Sequence, residues 1–375
     1  MFHLLFQVHK QIEKAKKILC RFFLIVVVVG LVGNIILPDK DMSALENRSL
    51  VKFPTQINKD FFKNLETYYS DQFIGRNAFL HLNYCAQEAS GVSKIQDVYL
   101  GKHQLIEDVA KPNKEQEQRN LDAINAFAKS NKHCKFQFML VPNAVNIQKD
   151  KLPAFAKTAD QNTQIDAVYQ SLNEKIKKVD TRPILNQHKN EYLYYKTDHH
   201  WTSLGAYYGA KALNKNISLD DYQAMSVSNH FRGTLESKTG SLLLKDSIDI
   251  YPPKNLDYIV TYGSTLKTTR SIYQSKPLQE KDQYQVFFGG NEGMINISVN
   301  NNSKKHLLLI KDSYANELVQ FLLPYYRTIT IIDPRYYFDD INRQMKTDLI
   351  TDVLFVYNTN TFVQDTSLAD CIGAN

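Results

Sequence analysis

The sequence predicts an α/β fold whose main sheet is mainly parallel. Apolar runs typical of buried strands, such as residues 135–142 and the run that begins at His306, alternate with segments of helical periodicity. Alternation of this kind is typical of a sheet with helices on its faces. Between about residues 227 and 300 the helical periodicity is lost and short runs alternate with turns, which predicts a β-rich insertion.

Length and composition indicate a globular protein. The 375 residues are enough for one large domain with appendages or for two modest domains. Hydrophobic residues at 43% and charged residues at 22% are ordinary globular values. The net charge of +6 is spread along the chain without a long basic block beyond the N-terminus, so no nucleic-acid partner is expected. The same charge suits an anionic cell envelope.

The four cysteines do not have the spacing of a metal site. Cys20, Cys85, Cys134 and Cys371 include no C-x-x-C pair, so no structural metal is expected. Cys20 lies in an apolar run and Cys134 in a predicted strand. A bridge between Cys85 and Cys371 is therefore the one plausible disulfide.

The N-terminal region has the pattern of a membrane anchor. Residues 18–37 form an apolar run of roughly the 20 residues that cross a bilayer. Lys10, Lys14, Lys16 and Lys17 precede it, so the positive-inside bias places residues 1–17 in the cytoplasm and the rest outside. We thus expect a single-pass protein of the cell membrane. A cleaved signal peptide and a buried helix of a soluble protein are the alternatives.

Two regions follow the anchor. Residues 38–95 are polar and are interpreted as a stalk and docking segment, and residues 96–375 as the main domain. The expected helices cover residues 59–69, 113–130, 160–179 and 203–215. The expected strands, besides those named above, cover residues 192–196, 256–261, 285–288, 294–299, 328–332 and 353–357.

Two distant segments together supply a serine, a histidine and an aspartate. Asp198-His199-His200-Trp201 should follow a short strand, and Ser313 stands where the strand from His306 turns into a helix. A serine hydroxyl is a weak nucleophile until an imidazole takes its proton, and a carboxylate fixes the tautomer of that imidazole. In an extended segment Asp198 and His200 share a face and His199 points away. A helix starting after His200 should favour its neutral form.

Simpler interpretations exist for both segments. Asp312 or Ser313 could cap the helix that follows, since both residue types are ordinary caps. The two histidines could lie in a solvated loop, or bind a metal with ligands from elsewhere in the chain. Trp201, the only tryptophan, is expected to pack in the core rather than to act in catalysis.

Several short motifs, in order, resemble the DHHW proteins, a family related to the AlgX and AlgJ type of alginate O-acetylation proteins. The resemblance covers most of the chain after the anchor. Its motifs are Glu46-Asn47-Arg48 with Pro54, Asp71-Gln72-Phe73 with Arg76, Val98-Tyr99-Leu100-Gly101-Lys102, Asp198-His199-His200-Trp201, Phe287-Phe288-Gly289-Gly290-Asn291, Ile310-Lys311-Asp312-Ser313-Tyr314-Ala315-Asn316 and Asp333-Pro334-Arg335-Tyr336-Tyr337.

The resemblance implies an SGNH-hydrolase-like, flavodoxin-like fold of three layers. It implies that Ser313 is the nucleophile, His200 the base and Asp198 the carboxylate that orients it. The backbone amides after Ser313 would meet an oxyanion. Four further residues are candidates for binding substrate or for the oxyanion pocket: Tyr314, Asn358, Arg335 and Tyr336.

The function implied is transfer of acetyl groups to hydroxyls of a cell-surface or exported polysaccharide through an acetyl-Ser313 intermediate. The acetyl donor would be a membrane-bound O-acyltransferase, and no cofactor or metal is needed. An esterase with the same triad is one alternative, because water and a sugar hydroxyl compete for the same acyl-enzyme. A non-catalytic, polysaccharide-binding scaffold is another, because a fold does not prove an activity.

Overall fold

The structure is a computed structural model that describes residues 2–43 and 48–373. The chain forms two compact units, Met1–Ala86 and Gln87–Asn375. The first unit contains the elements α1 (Phe2–Ile36), β1 (Met42–Ser43), β2 (Arg48–Ser49), α2 (Phe61–Gln72) and most of α3 (Arg76–Ala89). Glu46 and Asn47 of the motifs above lie outside the described residues.

The predicted anchor, residues 18–37, falls almost entirely within α1. Across the described residues, no helix reaches the combination of length and apolar character that crossing a membrane requires. The amphipathic helix predicted at residues 59–69 is confirmed as α2, although it ends three residues later.

The second unit contains the remaining helices and strands. In chain order they are β3 (Lys94–Ile95), β4 (Val98–Gly101), β5 (Gln104–Glu107), α4 (Lys114–Ser130), β6 (Lys135–Val141), α5 (Ala144–Ile147), α6 (Gln161–Ser171), β7 (Ile176–Lys178), α7 (Arg182–Gln187), α8 (Ser203–Leu213), β8 (Met225–Phe231), α9 (Thr234–Thr239), β9 (Asp246–Ile250), β10 (Tyr258–Tyr262), β11 (Thr268–Thr269), β12 (Met294–Val299), β13 (His306–Lys311), α10 (Ala315–Leu318), β14 (Thr328–Ile332), α11 (Ile341–Thr347), β15 (Asp352–Asn358), α12 (Thr359–Phe362) and α13 (Leu368–Gly373).

An eight-stranded mixed sheet organises the second unit. Its strand order is β11-β10-β12-β14-β13-β15-β6-β7. The strands from β14 to β7 run parallel, and β12, β10 and β11 extend the sheet by antiparallel pairing. The fold is thus mixed α/β, and the expectation of a mainly parallel sheet holds only for five strands.

Alternate residues of the central strands enter two separate hydrophobic clusters. On β13, Leu307 and Leu309 pack in one cluster, whereas Leu308 and Ile310 pack in the other. Side chains on a strand alternate between its faces, so the sheet is covered on both sides. The carboxyl ends of the parallel strands meet at one edge of this sheet, where an active site is expected in α/β proteins.

The β-rich insertion predicted between residues 227 and 300 is not an insertion. Only β8 and β9 form a ribbon of their own, whereas β10, β11 and β12 complete the main sheet. The strand predicted at residues 285–288 is not formed: its first half belongs to a 3₁₀-helix, Gln283–Val286, and Phe287 makes an isolated bridge to Tyr273. A pattern of short runs reveals strands but does not reveal which neighbours they pair with.

Two further expectations are corrected by the structure. The helix predicted at residues 160–179 ends at Ser171, because the Asn173 side chain accepts a hydrogen bond from the Lys175 N–H in a turn (2.9 Å) and β7 follows. Residues 192–196 form no strand of a sheet and make only a single bridge, between Tyr194 and Trp201. The disulfide that the sequence left open is not formed, since Cys85 and Cys371 are both free thiols.

Candidate active site

A short loop carries the Asp198-His199-His200-Trp201 motif. Its two arms are joined by hydrogen bonds from the Thr202 N–H to the Leu193 carbonyl (2.9 Å) and from the Tyr195 N–H to the His200 carbonyl (3.2 Å). Asp198 therefore lies near the tip of a closed loop instead of in an extended strand. Thr202 then caps α8 by accepting a hydrogen bond from the Gly205 N–H.

Trp201 joins this loop to the segment that carries Ser313. Its side chain is fully buried, and its indole N–H donates to the Tyr314 carbonyl at 2.8 Å. Gly209 leaves room for the ring, because a Cβ there would stand 2.6 Å from the Trp201 Cη2. The expected packing role of Trp201 is confirmed.

Asp312 fixes the turn in which Ser313 lies. Its Oδ1 accepts the Tyr314 N–H at 2.9 Å, and its Oδ2 accepts both the backbone N–H and the side-chain amide of Asn358, at 2.8 and 2.6 Å. Asp312 therefore closes the turn that precedes α10, whose N-cap position, Tyr314, has no side-chain cap, and the hydroxyl of Ser313 remains available for His200.

Ser313, His200 and Asp198 form one chain of hydrogen bonds. The Ser313 Oγ lies 2.7 Å from the His200 Nε2, and the His200 Nδ1 lies 2.5 Å from the Asp198 Oδ1. We assign the ring proton to Nδ1, because the Asp198 carboxylate can only accept it there. Nε2 is then free to accept the proton of the serine hydroxyl.

Asp198 is held on its other side by the start of α9. Its Oδ2 accepts the backbone N–H of Thr234 at 2.8 Å and the Thr234 hydroxyl at 3.0 Å. Burial raises the pKa of Asp198, but the neighbouring His199 and His200 and these hydrogen bonds outweigh burial and keep the pKa below its usual range. A Cβ at Gly233 would lie 2.3 Å from the Asp198 Oδ2, so this close approach requires glycine.

The environment of His200 favours its neutral form. Burial, followed by the charge of His199, lowers the pKa of His200 to about 4, although Asp198 opposes the shift. At neutral pH the imidazole can therefore accept a proton. The sequence predicted a neutral His200 from the helix that follows it, whereas burial is the larger cause in the structure.

Two more aromatic rings enclose His200. The Tyr284 ring stacks on it with centroids 3.9 Å apart and planes 10° apart, and the Tyr284 hydroxyl donates to the Ser313 carbonyl at 2.8 Å. On the other side the His199 ring lies 3.9 Å away, and its Nδ1 is 2.7 Å from the Thr234 hydroxyl. The expectation that His199 points away is therefore wrong, because the segment is a tight loop.

Asp198, His199 and His200 could also be considered as metal ligands, since one ligand atom of each lies within 4.8 Å of the others. However, both ring nitrogens of His200 already bond to protein atoms, one to Asp198 and one to Ser313. A metal would have to displace these bonds. The contacts therefore favour the chain from Ser313 to Asp198 over a metal site.

Tyr314 and Asn358 are buried and form hydrogen bonds to the segments that carry the site. Tyr314 is 0% exposed, and its hydroxyl donates to the His199 carbonyl and accepts from the Asn143 side-chain amide at 3.3 Å. Asn358 is also buried, and it donates to Asp312. These buried side chains hold the two segments that carry the site, and a role of either residue in substrate binding or in the oxyanion pocket stays a prediction from the sequence.

The backbone N–H groups of the three residues after Ser313 already donate hydrogen bonds within the protein, so they are not free to meet an oxyanion as predicted. The Tyr314 N–H donates to the Asp312 carboxylate, the Ala315 N–H to the Asp312 carbonyl and the Asn316 N–H to the Ser313 carbonyl. The helix that follows, α10, has only four residues. Among the described residues, the Ser313 N–H has no hydrogen-bond acceptor, so it is the amide that could meet an oxyanion.

Arg335 and Tyr336 lie just after β14, at the same edge of the sheet. Arg335 binds the buried Asp333 carboxylate through Nε at 2.8 Å and Nη2 at 2.6 Å, and Lys311 reaches the same carboxylate at 3.2 Å. The Arg335 side chain is 34% exposed and Tyr336 is 45% exposed. Both therefore remain candidates for contact with a substrate.

Sequence reasoning missed several residues of the site, namely Gly233, Thr234 and Tyr284. Each comes from a segment between strands whose local pattern carries no catalytic signal. Tyr284 lies in the 3₁₀-helix Gln283–Val286, which overlaps the strand predicted at residues 285–288.

The chain is similar to several known proteins. A DHHW family protein from Eubacterium siraeum DSM 15702 shares 27% identity with a TM-score of 0.64, covering 75% of this chain and 99% of the other. Bacillus cereus PatB1 shares 22% identity with a TM-score of 0.61, over 72% of this chain and 98% of PatB1, and another PatB1 structure holds a sulfonyl adduct. The O-acetyltransferase domain of Pseudomonas putida AlgJ shares 16% identity with a TM-score of 0.47, over 73% and 94% of the two chains.

A search of curated protein sequences found no match. The model of the DHHW protein family matches residues 118–332, which are more than half of the 375 residues. This segment contains the Asp198-His199-His200-Trp201 motif, Ser313 and most of the sheet. The chain therefore belongs to the DHHW family.

Proposed function

We propose that the protein is an O-acetyltransferase that acylates hydroxyls of a polysaccharide through an acetyl-Ser313 intermediate. The observation that carries this proposal is the hydrogen-bond chain from the Ser313 Oγ through His200 to Asp198. Acetyl as the acyl group and a polysaccharide as the acceptor come from the resemblance to DHHW and alginate O-acetylation proteins. We also infer that the second unit is a variant of the SGNH-hydrolase type of domain.

In the first half-reaction, the Ser313 Oγ attacks the carbonyl carbon of the acetyl donor while the His200 Nε2 takes the hydroxyl proton. The Asp198 carboxylate stabilises the imidazolium that forms. The Ser313 N–H can donate to the oxyanion of the tetrahedral intermediate. The bond to the leaving group then breaks, the leaving group takes the proton from His200, and acetyl-Ser313 remains.

In the second half-reaction, a sugar hydroxyl attacks the acetyl carbonyl and gives its proton to the His200 Nε2. The intermediate collapses, the Ser313 Oγ leaves and recovers a proton from His200, and the acetylated sugar departs. Water in place of the sugar would make the same site an esterase. Ser313 is partly exposed, so both acceptors can reach it.

The acetyl donor and the location remain predictions from the sequence. A membrane-bound O-acyltransferase partner would supply the acetyl group outside the cytoplasm, and residues 18–37 would hold the enzyme close to it. Such tethering raises the effective concentration of the donor. Extraction of membranes from cells that produce the full chain, in alkaline carbonate and then in detergent, tests the anchor: release by carbonate alone would contradict it.

The activity is tested with the full chain in detergent, a chromogenic acetyl ester as donor, and neutral and acidic oligosaccharides as acceptors. We expect acetylated oligosaccharide in addition to free acetate, and neither product with Ser313→Ala. Acetate without any acetylated acceptor would favour the esterase. A folded protein that gives neither product, and whose Ser313→Ala variant restores acetylation in a deletion strain, would favour the scaffold.

A further inference from the structure

Lysines gather at the edge of the sheet opposite to Ser313. Lys305 precedes β13, Lys135 begins β6, and Lys175 and Lys177 precede and lie in β7. With β15 between β13 and β6, these are four neighbouring strands of the sheet, all parallel. Because parallel strands start at one edge, the four lysines stand along that edge.

These lysines are available for a partner. All four are exposed, and none of them forms an ion pair with a described residue. Two carboxylates lie near them: Asp352, at the start of β15, is buried and also lines the cavity described below, and Glu174, directly before Lys175, is exposed. Four exposed ammonium groups against two carboxylates leave a net positive charge along this edge, and its field attracts a polyanion.

The same edge is concave. A cavity of about 710 Å³ is lined by all four lysines, and its other lining residues include Asn214, Asn216, Tyr325 and Tyr326. We call this cavity and its four lysines the basal groove. Amide and phenol groups beside ammonium groups suit a ligand that carries both hydroxyls and anionic groups.

The lining of the basal groove favours a sugar polymer over a lipid surface. A surface that binds a membrane through insertion presents large apolar side chains to the solvent. Within the described part of the chain, none of the exposed large hydrophobic residues lines this groove. The concave shape also suits a chain that lies within it better than a flat bilayer.

We infer that the basal groove binds an anionic polysaccharide through carboxylate or phosphate groups on successive sugars. Six residue-to-residue steps lead from Lys305 to Lys311, so this groove lies about 20 Å from the serine turn at roughly 3.3 Å per step. A polymer held there would keep other parts of itself close to Ser313. The choice of a polysaccharide rests on the proposed function, whereas binding of a polyanion does not depend on acyl transfer.

The test measures binding of the full chain in detergent to polygalacturonate and to dextran of matched length. We expect binding to polygalacturonate that weakens as salt increases, and no binding to dextran. Replacing the four lysines by glutamine (K135Q, K175Q, K177Q and K305Q together) should weaken the binding by about tenfold or more and reduce its salt dependence. A control with the same net charge replaces Lys102, Lys111, Lys157 and Lys267, which are exposed elsewhere on the second unit.

Two comparisons test the inference: the groove variant against the control variant, and polygalacturonate against phospholipid vesicles. Equal binding by the groove variant and the control variant would overturn the inference. So would binding of the groove to anionic phospholipid vesicles but not to polygalacturonate, since it would identify a lipid surface as the partner. Turnover of a chromogenic acetyl ester by the groove variant should equal that of the unmodified protein. If neither the unmodified protein nor the groove variant turned over the ester, the proposed acyl transfer would be refuted, whereas the measured binding of polygalacturonate would still stand.

Discussion

The Nε2 of His200 lies 2.7 Å from the Oγ of Ser313, although 113 positions separate the two residues in the sequence. The hydrogen bond from the Trp201 indole to the Tyr314 carbonyl connects the same two segments one residue further along each of them. The proposed base and the proposed nucleophile are thus held together by the loop and the turn, and changes in either segment should alter reactivity.

The activity should depend on pH through His200. The imidazole must be neutral to take the serine proton, and its pKa is lowered to about 4, so kcat/KM should fall as the pH drops through about 4. His199 is the second cause of this lowering, so His199→Gln should move the acidic limb to higher pH. The pH dependence of kcat/KM with a chromogenic acetyl ester measures both, with His133→Gln as a surface control. If the acidic limb of the pH profile were the same in the unmodified protein and in His199→Gln, His199 would not be a cause of the lowered pKa of His200.

Gly233→Ala should disturb Asp198. The added methyl would stand 2.3 Å from the carboxylate, so the loop or Asp198 must move. Because displacement of a catalytic group by about 1 Å can cost on the order of 100-fold, we expect a loss of kcat of this size. Gly373→Ala is the control, since its methyl meets only Ala123 at 3.6 Å. Unchanged kcat in Gly233→Ala would show that the position of Asp198 is not critical.

Asp312→Asn should weaken the serine turn. The carboxylate accepts hydrogen bonds from three N–H groups, and an amide directs its own N–H groups at some of these donors. We expect a loss of stability of about 1–3 kcal/mol. Labelling of Ser313 by a sulfonyl fluoride, measured well below the melting temperature, should slow as well. Asp122→Asn, on the exposed face of α4, should change neither quantity. Normal labelling in a destabilised Asp312→Asn variant would assign Asp312 to the fold alone.

Tyr284 should act through both its ring and its hydroxyl. Tyr284→Phe keeps the ring that stacks on His200 but loses the hydrogen bond to the Ser313 carbonyl, so kcat should fall by about tenfold or less. Tyr284→Leu removes both contacts and should have the larger effect. Tyr273→Phe is the control. It removes a hydroxyl that donates to Gln320 and does not contact His200 or Ser313, so kcat should stay unchanged. Equal kcat values for the Phe and Leu variants would show that stacking on His200 has no role.

The sequence predicted the fold where local pattern was sufficient. The strand that begins at His306 and the helix after Thr202 follow directly from apolar runs and a cap. Pairing over long distances could not be predicted in the same way. The strand from Met294 was expected in a separate insertion, whereas it pairs with β14 in the main sheet.

For the candidate site, too, residues with a local motif could be predicted from the sequence, and residues that depend on contacts between distant segments could not. Asp198, His200 and Ser313 were selected because their residue types suit one reaction, and the structure brings them together. Gly233 and Tyr284 were missed because their importance arises from proximity in space. Tyr284 lies in the connection between β11 and β12, where no periodicity or motif indicates a site, and its ring stacks on His200.

The central claim, that Ser313 becomes acylated, is tested most directly by intact mass measurement. The full chain in detergent is mixed with a chromogenic acetyl ester, quenched in acid at short times and analysed together with Ser313→Ala. The account predicts a transient acetyl adduct that maps to the peptide containing Ser313 and is lost in the variant. No adduct in a folded protein that releases acetate, or an adduct that persists in Ser313→Ala, would contradict it.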